Sequence, residues 1–189
     1  MLDLLPIRKG HFRYESGHHS DAWMDLERLC LRPEPVSRLA DQLADRVANY
    51  DVDAVCGPLV EGAFIALMVA SRLQKLFTYV ERFEDRESDA LYPVKYRVPG
   101  SIRQELSGRR VAIVNDVISA GSAVRGTLAD LIDIGADTLV VASLAVLGRT
   151  FAEFAAANRL PLETLALLPS NIWTPSECPM CADGEALTQ

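Results

Sequence analysis

The chain has 189 residues, of which 49% are hydrophobic and 24% charged, so it can form one α/β domain with a sizeable core and is not a disordered chain. Its formal charge of −7 excludes a broad attraction to nucleic acid or to an anionic membrane, so any phosphate must be bound by local groups. The sequence has no apolar run near the roughly 18 residues of a membrane helix and no signal-peptide layout, so we expect a cytoplasmic protein.

The first half of the chain mixes an irregular segment with clear periodic patterns. Residues 10–28 are polar and aromatic without a regular period. Pro33 and Pro35 open an amphipathic helix, whose apolar face consists of Val36, Leu39, Leu43 and Val47. The pattern then predicts a strand over 53–57, a helix over 62–73 and a strand over 76–81. Residues 82–108 are charged and interrupted by proline and glycine, which indicates a long loop or a small excursion.

The second half alternates apolar strands with helices. The predicted elements are a strand over 111–116, a helix over 123–134 that ends at Gly135, a buried strand over 139–147, a helix over 150–158 and a strand over 164–168. This alternation predicts a doubly wound, mostly parallel sheet of the α/β class. Ligands bind beyond the carboxyl ends of such strands, so the informative segments are 57–62, 82–108, 115–125 and 148–150.

The segment 115–125 carries the most specific chemical pattern. Its strand brings Asn115 and Asp116 to the sheet edge, where a carboxylate can accept hydrogen bonds from sugar hydroxyls. Small residues from Ser119 to Ala123 then turn into a helix, which exposes backbone N–H groups at its positive end. The sequence therefore predicts a ribose-phosphate site, and an ordinary βα turn is the alternative interpretation.

This segment resembles the phosphoribosyl-pyrophosphate (PRPP) motif of the type I phosphoribosyltransferases. In that motif a strand precedes two acidic residues and a Thr/Ser-x-Gly-x-Thr/Ser loop. The resemblance implies that the 5-phosphate is bound by Ser119, Ala120, Gly121, Ser122 and Ala123, within a cradle that extends to Arg125. It also gives Asp116 and Asn115 catalytic roles at the ribose hydroxyls. Asn115 replaces an acidic residue and Ala123 a hydroxyl residue, so we expect a slow enzyme.

Three further segments are similar to the orotate phosphoribosyltransferases, and the resemblance runs from about residue 8 to residue 168. The segment GHFRYESGHHSDAWMDLE is similar to an amino-terminal hood, which implies orotate contacts from Phe12, Ser16 and Gly17. The segment CGPLVEGAFIA resembles the pyrophosphate loop, which implies PRPP contacts from Gly57, Pro58, Leu59, Glu61 and Gly62. The segment LAVLGRT matches the strand end that supplies an arginine, here Arg149, to the orotate carboxylate.

The segment 82–108 resembles the family's mobile catalytic loop, which closes over the site of the neighbouring subunit. The resemblance implies a homodimer with shared active sites, PRPP binding by Arg82 and a catalytic role for Lys95. The alternative interpretation is a solvated charged loop.

We expect one domain made of a small amino-terminal hood (1–32) and an α/β core (33–168), followed by a tail (169–189). The implied reaction transfers ribose 5-phosphate from PRPP to orotate with Mg²⁺ as cofactor, and it releases orotidine 5′-monophosphate and pyrophosphate. Magnesium would enter with PRPP rather than in a dedicated metal site.

Three alternatives stay open from the sequence. The first is a non-catalytic regulator that binds PRPP or a nucleotide, and the second is a phosphoribosyltransferase for another base. The third is a zinc-assembled interaction module that uses Cys178 and Cys181. One Cys-x-x-Cys pair supplies two of the four usual zinc ligands, and histidines or a second chain could complete the set. We expect instead two idle thiols in a flexible tail.

Overall fold

A computed structural model describes residues 7–84 and 94–188, and its strands form a small hood sheet and a larger core sheet. The hood begins with the antiparallel strands β1 (Ile7–Arg13) and β2 (His19–Met24), followed by helix α1 (Leu26–Cys30). The pairing of β1 with β2 shifts between Lys9 and Phe12, as a β-bulge does. This break in alternation is why the sequence suggested an irregular segment at 10–28, and that expectation was wrong.

The core has a six-stranded sheet with helices on both faces. Its elements are α2 (Pro33–Val47), β3 (Ala54–Pro58), α3 (Glu61–Leu73), β4 (Leu76–Glu84), β5 (Val94–Arg97), α4 (Arg103–Leu106), β6 (Arg110–Ile118), α5 (Ser122–Ile134), β7 (Asp137–Leu147), α6 (Thr150–Ala157) and β8 (Leu162–Leu168). The strand order is β5-β4-β3-β6-β7-β8, and every pair except β4–β5 is parallel. The predicted doubly wound, mostly parallel sheet is confirmed.

Two apolar clusters hold the helices to opposite faces of the core sheet. Helices α2 and α3 share one cluster, in which Leu43, Val47 and Ile65 are fully buried. Helices α5 and α6 share the other, which includes Leu131 and Phe151. Burying each such side chain contributes about 1.5–3 kcal/mol to folding. The elements that carry the site are therefore held rigidly from both sides.

Part of the segment 82–108, predicted as a loop, is regular structure. Val94, Tyr96 and Val98 are buried in alternation along and just beyond β5, which pairs antiparallel with β4. The Val98 N–H donates to Asp130 of α5 at 2.7 Å, and Arg103 of α4 forms an ion pair with the same carboxylate. Residues 85–93 of the proposed catalytic loop lie outside the described residues.

The carboxyl-terminal segment is folded onto the hood. Strand β9 (Ile172–Trp173) pairs with β2, and helix α7 (Pro179–Ala182) follows. The Thr188 N–H donates to the His11 carbonyl at 2.6 Å, and Cys178 is 2% exposed. The expectation of a flexible tail was wrong, because this segment completes the hood sheet. Within the described parts of the chain, every helix is too short or too polar to cross a membrane.

Candidate active site

A cavity lies at the carboxyl ends of β3 and β6, covered by the hood. The segment from the end of β3 into α3 lines it with Pro58, Leu59, Val60, Glu61 and Gly62, and the segment from the end of β6 into α5 lines it with all residues from Asn115 to Val124. The hood contributes Tyr14, Glu15, Ser16, Trp23, Met24 and Leu26, and the core adds Tyr96 and Leu147. The two loops and Ser16 that were predicted as ligand-binding segments therefore meet in one place.

The loop from Ser119 to Ala123 leads into the first turn of α5. Gly121 occupies the helix N-cap with φ +81°, in the left-handed region that glycine tolerates. A side chain there would also collide with the ring of Phe151. Small residues thus leave backbone N–H groups open to the cavity at the positive end of a 13-residue helix.

Arg125 supports this loop from below. Its Nε donates to the Ala120 carbonyl at 3.2 Å, and its guanidinium carbon lies 3.7 Å from the centre of the Phe154 ring. Arg125 does not line the cavity, so its observed role is to hold the predicted phosphate loop in shape.

Two buried polar residues, Asn115 and Asp116, lie near the carboxyl end of β6 and line the cavity. The Asn115 side-chain amide donates to the Val117 carbonyl at 3.0 Å. Burial, reinforced by the nearby charge of Glu61, raises the pKa of Asp116 to about 7. Asp116 is therefore poised between its charged and neutral forms near neutral pH, which suits hydrogen bonding to sugar hydroxyls.

The two loops pack against each other through glycines. A Cβ on Gly62 would collide with Oδ1 of the Asn115 side chain, and a Cβ on Gly57 would lie 2.6 Å from Ala66 Cβ. Gly57 itself lies within β3 and does not line the cavity, unlike Pro58, which follows it. The glycines of the predicted pyrophosphate loop thus permit the close approach of β3, α3 and β6.

Glu15 is a cavity residue that the sequence did not single out. Its carboxylate accepts hydrogen bonds from Tyr96 Oη at 2.5 Å and Ser122 Oγ at 2.8 Å, and it forms an ion pair with Arg82 Nε at 3.3 Å. Burial, together with the hydrogen bond to Glu15, raises the pKa of the Tyr96 hydroxyl. Glu15 therefore ties the hood to the start of α5 and to β4 and β5. The only hint in the sequence was its place directly before Ser16.

Besides Gly57, Arg82 and Arg125, four further predicted site residues do not line the cavity. The Arg149 side chain is 89% exposed and forms an ion pair with Glu153 at 3.2 Å. Lys95 is exposed on β5, and Phe12 is buried in the hood. Gly17 has φ +82° in the turn between β1 and β2, where its N–H donates to the Tyr14 carbonyl. Their assigned roles stay predictions.

Cys178 and Cys181 also lie away from the cavity. They lie close to His11 and His19 of the hood. Together these four residues form the only group of three or more potential metal ligands in the described parts of the chain.

The fold and the cavity define a class of protein. A parallel sheet that presents a glycine loop, a helix N-terminus and a buried carboxyl group at one edge is built to bind a phosphorylated sugar. Residues 30–159 match the phosphoribosyl transferase domain family, and the chain belongs to that family.

Curated relatives agree with this assignment. The chain is 29% identical over 178 residues to an orotate phosphoribosyltransferase of Thermotoga maritima, and the match covers 94% of this chain and 88% of the relative. It is 30% identical over 182 residues to an orotate phosphoribosyltransferase of Desulforamulus reducens, at 93% and 84% coverage. The protein is an enzyme, a transferase that uses PRPP and a base as substrates.

Solved structures share the fold. The orotate phosphoribosyltransferase of Aeropyrum pernix superposes with a TM-score of 0.65 at 27% identity, covering 86% of this chain and 88% of the other. The adenine phosphoribosyltransferase of Trypanosoma brucei gives a TM-score of 0.68 at 19% identity, covering 87% and 76%. The second comparison shows that the same architecture also occurs in an enzyme named for a different base.

Proposed function

We propose that this enzyme transfers ribose 5-phosphate from PRPP to orotate and releases orotidine 5′-monophosphate and pyrophosphate, a step of pyrimidine nucleotide biosynthesis. The observation that carries the proposal is the convergence of the two predicted loops on one cavity, with Asp116 between them. The choice of orotate is supported by relatives of that name, which match the chain along more than nine-tenths of its length.

The cavity suggests a place for each part of PRPP. The backbone N–H groups of 119–123, with the hydroxyls of Ser119 and Ser122, bind the 5-phosphate. Asp116 and Asn115 bind the ribose hydroxyls at the end of β6. The loop 58–62 after β3 binds the pyrophosphate. In the free protein Ser122 donates to Glu15, so this hydrogen bond must open when phosphate arrives.

The reaction breaks the bond between the anomeric carbon and the pyrophosphate oxygen and forms a bond from that carbon to a ring nitrogen of orotate. The proton on that nitrogen is released to the departing pyrophosphate or to water. Positive charge develops on the sugar as pyrophosphate leaves with the bonding electrons. An ionised Asp116 stabilises that charge, and PRPP brings with it the cation that offsets its own negative charge. The hood covers the cavity and limits the access of water, which would otherwise hydrolyse PRPP.

The donor set around the pyrophosphate loop fits Mg²⁺. Glu61 places a carboxylate beside the cavity, and magnesium prefers oxygen ligands that include substrate phosphates. Glu61 would hold the ion together with the pyrophosphate oxygens of PRPP. When bound, the ion neutralises charge on the leaving group.

Arg149 is proposed to bind the orotate carboxylate after a change of side-chain rotamer. It comes two residues after Leu147, which lines the cavity. Its ion pair with Glu153 is exposed to solvent, and such pairs contribute about 0–1 kcal/mol, so breaking it costs little. Phe12, Ser16 and Gly17 would position the base from the hood. Lys95 and Arg82 would contact PRPP from β5 and β4.

Orotate consumption by purified protein with PRPP and Mg²⁺ tests the proposal. We expect orotate loss that depends on PRPP, and no consumption of adenine, hypoxanthine or uracil under the same conditions. Turnover of a purine without turnover of orotate would show that the base is wrong while the phosphoribosyltransferase assignment holds.

A further inference from the structure

Four potential metal ligands from both ends of the chain converge on the outside of the hood. They are His11 of β1, His19 of β2, and Cys178 and Cys181 around α7, and their ligand atoms all lie within 4.8 Å of one another. The residues are separated by up to 170 positions in the chain. His11, His19 and Cys178 are buried, at 1%, 7% and 2% exposure.

The three sulfur–nitrogen distances given by the structure are close to those of a tetrahedral site. Cys178 Sγ lies 3.4 Å and Cys181 Sγ 3.6 Å from His11 Nε2, and Cys181 Sγ lies 3.2 Å from His19 Nδ1. Zinc bonds of about 2.0–2.3 Å in a tetrahedron separate neighbouring ligand atoms by about 3.3–3.8 Å. The two histidine nitrogens, 2.9 Å apart, would need to separate by only a few tenths of an ångström.

The surroundings orient the ligands toward a common centre. His11 Nδ1 lies 2.8 Å from the Glu185 carbonyl, so this nitrogen carries the proton and Nε2 presents a lone pair to the cluster. Cys178 caps α7 and Cys181 lies within it, so the three-residue spacing places both sulfur atoms on one side of a helical turn. The irregularity in β1 surrounds His11 and positions its ring beside that of His19.

We propose that His11, His19, Cys178 and Cys181 bind one zinc ion in a closed structural site that ties the carboxyl-terminal segment to the hood. Two thiolates and two imidazoles match the ligand preference of zinc, and four protein ligands leave no position for substrate. The site is therefore structural, and the proposal is independent of which base the enzyme uses.

The zinc site has a consequence for the cavity. The turn between His11 and His19 carries Glu15 and Ser16, which line the cavity. A metal ion that joins β1, β2 and α7 restrains both ends of this turn. Zinc binding should therefore stabilise the hood over the PRPP loop as well as the fold itself.

Metal analysis of protein prepared without a histidine tag tests the proposal. We expect about one zinc per chain, in line with a closed four-ligand site. Replacement by Co²⁺ should give the intense visible absorption of tetrahedral cobalt and a thiolate charge-transfer band. The double variant Cys178→Ser, Cys181→Ser should lose both metal and spectrum, while the control Cys30→Ser, whose thiol lies outside the cluster, should keep them.

Several results would overturn the zinc site. One is wild-type protein that binds no zinc after equilibration with the ion under reducing conditions. Another is a Cys178–Cys181 disulfide in protein prepared with zinc and without oxidant. A third is equal metal content in the wild type and in the double variant. Should that variant not fold, the cobalt spectrum of the wild type decides the question alone, because an octahedral spectrum without thiolate bands excludes this ligand set.

Discussion

At the residue scale, Asp116 links stability to function through its burial. Its folded pKa of about 7 lies above the ordinary value of 3.8, so the folded state favours the protonated form. The protonated Asp116 carboxyl group contributes to the free energy of unfolding in full below about pH 4, and this contribution is lost as pH rises through 7. Asp116→Asn should therefore raise the free energy of unfolding above that of the wild type, and the gain should be larger at pH 8 than at about pH 4.5. The two gains should differ by a free energy on the order of 2–4 kcal/mol.

Urea unfolding of both proteins at the two pH values, with EDTA present, measures this difference. A stability difference that does not change with pH would mean that Asp116 titrates normally.

The same variant should lose most of its transferase activity, because the sugar then meets a neutral amide. Stability gained at the expense of turnover is the expected pattern for a functional residue.

The phosphate loop is tested better through its serines than through its glycine. Gly121→Val would force a side chain into Phe151 and so disturb the fold together with the site. Ser119→Ala and Ser122→Ala each remove one hydroxyl donor, and each should weaken PRPP binding about tenfold, or about 1.4 kcal/mol.

Isothermal calorimetry with PRPP and Mg²⁺ gives these affinities. Ser107→Ala, at an exposed position outside the cavity, is the matched control and should bind as the wild type does. Unchanged affinity in both loop variants would place the 5-phosphate elsewhere.

At the scale of elements, the proposed contact with the orotate carboxylate lies in the turn from β7 into α6. Arg149→Ala should raise the KM for orotate at least tenfold, or about 1.4 kcal/mol, and leave the KM for PRPP nearly unchanged. Glu153→Ala is the matched variant, since it removes the same exposed ion pair but keeps the arginine. Its KM for orotate should be unchanged or slightly lower than that of the wild type. Steady-state kinetics with each substrate varied separates the two effects. A KM for orotate within twofold of wild type in Arg149→Ala would contradict the assignment.

Regular periods made most core elements predictable from the sequence. Helix α2 begins with two prolines and carries an apolar stripe opposite a charged face. Strands β6 and β7 each contain a continuous apolar run. The hood hairpin was missed because its bulge interrupts the alternation, and β5 was missed because only Val94, Tyr96 and Val98 carry the pattern inside a charged segment.

The candidate site was predictable to the extent that its chemistry is local. Asn115 to Ala123 and Pro58 to Gly62 each run from the carboxyl end of a strand into the next helix, so parallel topology alone brings them together. Glu15 was not predictable, because its partners Tyr96 and Ser122 are 81 and 107 positions away. The outward direction of Arg149 was not predictable either, since a side-chain rotamer depends on its packed surroundings.

At the scale of the whole molecule, we propose a homodimer that uses the exposed apolar face of α3. Val60, Phe64 and Leu67 are spaced by four and three residues, and they are 55%, 44% and 49% exposed beside the pyrophosphate loop. The double variant Phe64→Asp, Leu67→Asp should convert the dimer to a monomer and reduce turnover.

Light scattering after size exclusion measures the mass. Ile132→Asp, at a 65% exposed position on α5, is the control and should stay dimeric. A wild-type protein that is monomeric at assay concentration, or a double variant that stays dimeric, would rule out this surface as the interface.

A crystal structure with orotidine 5′-monophosphate bound tests the central claim most directly, since this product carries both the phosphate and the base. We expect the phosphate to lie over the backbone N–H groups of Ser119 to Ala123, with Ser122 released from Glu15, and the ribose hydroxyls to lie at Asp116. We expect the base beneath the hood near Ser16, with Arg149 turned from Glu153 to the base carboxylate. A phosphate bound away from the 119–123 loop, or a cavity that stays empty at saturating ligand, would contradict the central claim.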